Sequence, residues 1–171
     1  HLSAILQRIA PSHGLVLVQH ANNETGVLQP IQAIADLCKQ SGAHLHSDSV
    51  QSFGKVPVSI ESLHGASISL SGHKLGALKG VGVLIAEPSR LTTLVHGKQQ
   101  KSKRGGTENV LGISSLGWIV RRMLDGHSPY PNTLLDLKNR FEHELRRQIP
   151  SLRIHGVDAK ERLSNTTYVG F

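Results

Sequence analysis

Cysteine, methionine and aromatic residues are scarce in this chain: one Cys, one Met, one Trp, two Tyr and three Phe among 171 residues. The single cysteine, Cys38, excludes an intrachain disulfide and any metal cluster built on several thiolates. It fits a reducing compartment. No apolar run reaches the ~18 residues that a membrane-spanning helix needs. No basic stretch followed by an apolar segment and a cleavage site opens the sequence, so no secretion signal is visible. An initiating methionine is also missing, since the one Met is Met123. The last residues, Thr166-Thr167-Tyr168-Val169-Gly170-Phe171, have the pattern of a strand with nothing after it. These features suggest an internal piece of a longer protein, one that works inside the cell, in cytoplasm or organelle.

Two further absences narrow the chemistry. Eleven histidines are present, yet HxxxH spacing occurs on none of the expected helices, so nothing specific points to zinc or another metal. "GALKGVG" lacks the GxxxxGK[ST] pattern and precedes a strand instead of a helix, which argues against a nucleotide-phosphate loop. The formal charge is +7, concentrated in "GKQQKSKRGG" at Lys98, Lys101, Lys103 and Arg104. No aromatic residues interleave with that cluster, so it is taken as a solvated loop and not as a nucleic-acid surface.

Hydrophobic residues make up 38% of the chain, enough for a core, and they fall into short runs. "LVLV" at 15–18, "AHLH" at 43–46, "ASISL" at 66–70 and "GVGVLIA" at 80–86 are the expected strands. The first and last, nearly continuous, predict strands covered on both faces. Between the first two lies a helix: Pro30 suits its first turn, Ile31, Ile34, Ala35 and Cys38 share a face, and Gly42 ends it. Strand, helix and strand within about thirty residues form a βαβ unit with parallel strands. Cys38, on the apolar face, is a core residue. A second helix is expected from near Thr107 through Trp118 to about Met123. "DGHSPYPN" at 125–132 then breaks the pattern, placing a domain boundary there between residues 1–127 and 128–171. Asn132 can cap a third helix with Leu134, Leu137, Phe141 and Leu145 on one face, stopped by Pro150.

Ligands of open parallel α/β sheets bind beyond the carboxyl ends of the strands. Here the first run is followed by His20-Ala21-Asn22-Asn23-Glu24-Thr25-Gly26, the second by Asp48 and Gln51, the third by Ser71, His73 and Lys74. Taken singly, each has a plainer role: Asn22-Asn23 can make a turn, Asp48 can cap one, and His46 and His73 can each bond a backbone carbonyl. Taken together they form a set. A lysine in a partly dry crevice can act as a neutral amine toward a carbonyl. A carboxylate opposite it can hold a pyridine nitrogen protonated, with an attraction on the order of 5 kcal/mol at ~3 Å and an effective dielectric near 20. Amine plus carboxylate is what pyridoxal phosphate requires.

"HANNETG", "HSDSVQSFGKVPV", "SLSGHKLGALKGVGVL" and "RGGTENVLG" together resemble the cysteine desulfurases among the class V, fold-type I pyridoxal-phosphate enzymes. The resemblance is in order over residues 14–112 and weaker to residue 171. It implies an α/β fold: a mainly parallel sheet with flanking helices, then the start of a small α+β domain. It implies pyridoxal 5'-phosphate as cofactor, with Lys74 as its Schiff-base lysine and proton carrier. Asp48 would pair with the pyridine nitrogen, Gln51 with the phenolic oxygen, and Asn23 would lie near that oxygen and the substrate carboxylate. Ser71 and His73 would contact the phosphate, and Thr107, beside Arg104, would reach the partner's phosphate across a homodimer. The implied reaction turns L-cysteine into L-alanine and leaves a persulfide on an enzyme cysteine, for delivery to a sulfur-acceptor protein in iron–sulfur assembly or thiolation. Neither nucleic acid nor membrane is an implied partner.

The departures are specific. The sulfur-accepting cysteine is expected beyond residue 171, and the histidine that stacks on the cofactor ring is expected upstream of His1. Leu78 in "GALKG" stands where proline is common, and Lys98 in "HGKQQ" where a glycine-rich run is usual. The alternatives are a selenocysteine lyase or another class V enzyme, which the rest of the protein would decide, and a chain without the accepting cysteine that serves only as a binding or dimerising module.

Overall fold

Alternation along the apolar runs and the left-handed freedom of a few glycines shape the first half of the chain. The computed structural model describes residues 4–5, 14–128, 130 and 133–171. Strands β1 (Leu15–Gln19), β2 (His44–Asp48), β3 (Ser67–Ser71) and β4 (Gly82–Ile85) form one sheet in the order β1-β2-β3-β4. The first three run parallel, and β4 returns antiparallel to β3. Helix α1 (Ile31–Ser41) crosses from β1 to β2 and buries Ile34, Ala35 and Cys38. It ends where Gly42, at φ 71°, turns left-handed and its N–H reaches back to the last helical carbonyls.

The core lies between α1 and one face of the sheet. Leu45 and Ile68 from the central strands meet Ile34, Ala35 and Cys38, with Leu63 and Ala66 closing one side. Val16, Val18 and Leu70 pack around them. On the other face Leu15 and Leu17 are 59% and 68% exposed, and Leu84 of β4 is 52% exposed. Coverage of β1 and β4 on both faces is therefore not what the described residues provide. Among the described residues these strands are the two edges of the sheet, and α1 shields one face.

Helix α2 (Val110–Leu124) begins three residues later than Thr107. The Asn109 side chain accepts a hydrogen bond from Gly112 N at 3.1 Å and starts the helix there. It also donates to Gly80 O at 3.3 Å, tying the helix start to the loop before β4. Helix α3 (Thr133–Gln148) stops ahead of Pro150; the expected cap Asn132 lies outside the described residues. Its apolar stripe is not the buried one: Leu137 and Phe141 are each 55% exposed, whereas Lys138 and Glu142 are buried. The reason is a polar clamp. Lys138 Nζ donates to Leu163 O at 2.8 Å, and Arg162 holds both Glu142 oxygens at 2.7 Å, with Thr167 donating to the same carboxylate. Leu134, Leu137 and Phe141 instead line an open groove with residues 164–167. A two-stranded antiparallel pair, β5 (Arg153–Ile154) and β6 (Val169–Gly170), completes the chain, its last strand shorter than expected. Among the described residues no helix is long and apolar enough to cross a membrane.

Candidate active site

Three parallel neighbours end at one edge of the sheet, in the register Gln19 beside Asp48 beside Ser69. Main-chain bonds keep these ends aligned. His20 N donates to Asp48 O at 2.9 Å, and Ser49 N to Ser69 O at 3.0 Å.

Beyond β1 the two asparagines divide their work. Asn22 makes the turn: its Oδ1 accepts from Glu24 N, Thr25 N and Thr25 Oγ1 at 2.9–3.1 Å. Asn23 is left exposed, touching Gln19 Nε2 at 3.4 Å and donating to Glu24 at 3.0 Å. His20 is buried, its Nδ1 has no partner among the described residues, and burial lowers its pKa. Such a ring stays neutral.

Beyond β2 the exposed Asp48 accepts Val50 N on Oδ1 at 3.0 Å. Its other oxygen takes no hydrogen bond among the described residues. Buried Ser47, Ser49 and Ser52 knit the following turn; Ser47 and Ser49 share a 3.0 Å hydroxyl contact, and Phe53 N donates to Ser49 O at 2.9 Å. That turn carries Gln51. Within the sheet His46 bonds Ser67 Oγ at 2.8 Å, so its partner is a serine hydroxyl and not a backbone carbonyl.

Beyond β3 the chain tightens into a 3-10 turn, Gly72–Leu75, closed by Gly76 at φ 94°. Gly72 and Leu75 are buried, which leaves His73 exposed and Lys74 half-buried at the mouth. A side chain at Gly72 would meet Val81 Cγ1 at 2.7 Å, so the residue that leads into β4 closes directly over the turn. His73 Nδ1 and Ser71 Oγ are 2.8 Å apart, again a serine in place of a carbonyl. The main chain of Lys74 is held from outside: Tyr130 donates its hydroxyl to Lys74 O at 2.6 Å. Helix α2 supports the same region through Ser115, which accepts Leu78 N at 3.1 Å.

Asn23, Asp48, Gln51, Ser71, His73 and Lys74 thus share one strand-end edge. Thr107 is on no strand end; it is exposed on the loop that enters α2. That loop crosses itself where Gly97 meets Gly105; a Cβ on Gly105 would run into His96 O. Between the crossing points Gln100, Lys101 and Ser102 all have positive φ, a left-handed turn carrying the basic cluster.

Two residues absent from the sequence-based set belong to this neighbourhood. Lys55 Nζ donates to Gln51 Oε1 at 3.0 Å and lies 5.0 Å from the centre of the Tyr130 ring. Burial, and then the charge of Lys74, lowers the Lys55 pKa; burial raises that of Tyr130. The Gln51–Lys55 spacing in "QSFGK" hints at contact across a helical turn. Nothing local signals Tyr130, which is 56 residues from Lys74.

Comparison with known proteins gives a consistent set of likenesses. The family model described as Aminotransferase class-V matches residues 1–171. A protein named cysteine desulfurase from Gluconacetobacter diazotrophicus is 36% identical over 173 residues, covering 99% of this chain and 43% of that protein. The X-ray structure of a NifS-like protein from Rickettsia africae superposes with a TM-score of 0.91 at 36% identity, over 99% of this chain and 47% of that one. A structure titled SspA in complex with cysteine gives 0.76 at 30% identity, over 100% of this chain and 47% of its own. The chain therefore spans a little under half the length of these relatives.

Proposed function

The chain belongs to the class-V aminotransferase family, and from that premise we propose that it is the cofactor-binding portion of a pyridoxal-phosphate-dependent cysteine desulfurase. The observation that carries this reading is the convergence of β1, β2 and β3, which brings an amine, a carboxylate, amides, a hydroxyl and an imidazole to one edge. That donor set fits pyridoxal 5'-phosphate group by group: amine for aldehyde, carboxylate for ring nitrogen, amide for phenolic oxygen, hydroxyl and imidazole for phosphate. When bound, the cofactor supplies an electron sink for charge developing at the substrate α-carbon.

The chain's own residues then have separable tasks. Lys74 Nζ anchors the cofactor and, once released, carries a proton to and from the substrate. Asp48 keeps the ring nitrogen protonated through its remaining oxygen. Gln51 donates to the phenolic oxygen, Asn23 to that oxygen and the substrate carboxylate, and Ser71 with His73 to the phosphate. Thr107 faces the partner's phosphate in a homodimer. L-Cysteine is the substrate, L-alanine the product, and an enzyme cysteine outside this chain receives the sulfur before an acceptor protein does. Cys38 is excluded from that role because it is 2% exposed and burial raises its thiol pKa. We place the boundary between a large cofactor domain and a small domain near residue 127, where α2 gives way to the clamp of α3 and residues 162–167.

The test is spectroscopic. Pyridoxal phosphate added to the chain should produce a visible absorption band that borohydride reduction traps on Lys74, located by peptide mass mapping. Lys74→Ala should lose both the band and the adduct. Equal spectra from wild type and variant would sink the assignment.

A further inference from the structure

Lys55 is a half-buried ionisable group in direct contact with the site, and the proposed reaction has no use for it. Its stem is half-buried, its ammonium lies over the Tyr130 ring, and its hydrogen bond goes to Gln51 Oε1. Tyr130 and Lys74 are the titratable groups that face it, and the amide of Gln51 is its only hydrogen-bond acceptor among the described residues. An ammonium carries three donors and no acceptor. The amide atom it meets must therefore be oxygen, because the reverse orientation would set donor against donor. With Oε1 taken, Gln51 has only its Nε2 hydrogens left to offer.

We propose that Lys55 is a positioning residue: by holding Gln51 Oε1 it commits the Gln51 Nε2 donors to an anionic or phenolic ligand oxygen in the crevice beside Lys74. The proposal rests on the cofactor reading above, which supplies that oxygen. A glutamine without such a neighbour can present either end of its amide, and half of those orientations would repel an oxygen. Lys55 removes the wrong one. Tyr130 links the device to the Lys74 backbone, because the ring under Lys55 belongs to the side chain whose hydroxyl holds Lys74 O.

A double-mutant cycle tests this, using the full-length chain with pyridoxal phosphate as the probe and its visible band as the readout for affinity and for the pH midpoint of the band. Lys55→Met should weaken binding by about 5-fold, the size of one hydrogen bond, and should raise the midpoint, since a phenolic oxygen that loses its donor holds the neighbouring proton more tightly. Lys55→Arg, which also has donors only, should stay within about 2-fold of wild type. Gln51→Ala should resemble Lys55→Met, and the double variant should be no worse than either single one. Losses that add, or a Lys55→Met variant indistinguishable from wild type, overturn the role of Lys55 while leaving the cofactor reading intact. A wild-type chain with no visible band overturns both. Should Lys55→Met lose the native far-UV dichroism spectrum, Lys55→Leu against Lys55→Arg makes the same comparison, with the donorless leucine expected to behave as the methionine.

Discussion

Single residues in this chain are constrained for reasons that differ from site to site. Cys38 packs against the sheet, and burial holds its thiol in the protonated form. A thiol reagent should leave it unmodified in the native chain and react fully in urea; fast native labelling would contradict its burial. Gly105 is constrained by crowding, since its Cβ position coincides with the His96 carbonyl. Gly105→Ala must push the two crossing strands of the loop apart, at a cost of about 1–3 kcal/mol, measurable as a lower urea midpoint. Asp48 combines exposure with a fixed main chain, as expected of a side chain kept for a ligand. Asp48→Asn should leave the unfolding midpoint nearly unchanged while weakening retention of pyridoxal phosphate, read by equilibrium dialysis.

At the scale of elements, two helices are set by polar contacts more than by apolar stripes. Removing the cap in Asn109→Ala should cost α2 about 1 kcal/mol and free the loop before β4, because the same side chain holds Gly80 O. In α3 the buried partner is Glu142. Burial alone would raise its pKa, but Arg162, Thr167 and Lys138 outweigh that and hold it below the ordinary value of 4.5. A carboxylate with a depressed folded pKa contributes its full stabilisation above the unfolded value and loses it as pH falls through the folded one. Glu142→Gln leaves a buried guanidinium without its counter-charge, so it should destabilise by about 3–5 kcal/mol at pH 7. The gap to wild type should narrow below pH 4.5, in urea unfolding followed at both acidities. A gap independent of pH would show that the clamp works by packing alone.

At the scale of the whole molecule, the described residues leave much apolar surface open. Val110, Leu111, Ile113 and Trp118 on α2 are 44–76% exposed, Leu94 is 90% exposed, and Leu15 and Leu17 line an uncovered sheet face. Surface of this kind is a hallmark of association, and the proposed homodimer supplies an occupant for the α2 side, where Thr107 also stands. Sedimentation velocity should show self-association that rises with concentration and falls sharply in Leu111→Lys. A monomer at all concentrations would leave Thr107 without the partner phosphate proposed for it.

Four strands, α1 with its glycine stop, and the polar sets after β1, β2 and β3 were all legible in the sequence, because local periodicity and turn chemistry specify them residue by residue. So was the burial of Cys38, from helical spacing alone. Tertiary structure decided the rest. Strand order made β1 and β4 edges with an open face, which a continuous apolar run cannot reveal. The polar side of α3 faces inward because Arg162 Nη2 holds both Glu142 oxygens and Lys138 reaches Leu163 O, contacts that lie 20 and 25 residues apart in the chain. Tyr130 joined Lys55 and Lys74 only through folding. Contacts between residues so far apart in the chain leave no trace in local pattern, whereas the Gln51–Lys55 contact, four residues apart, leaves a faint one.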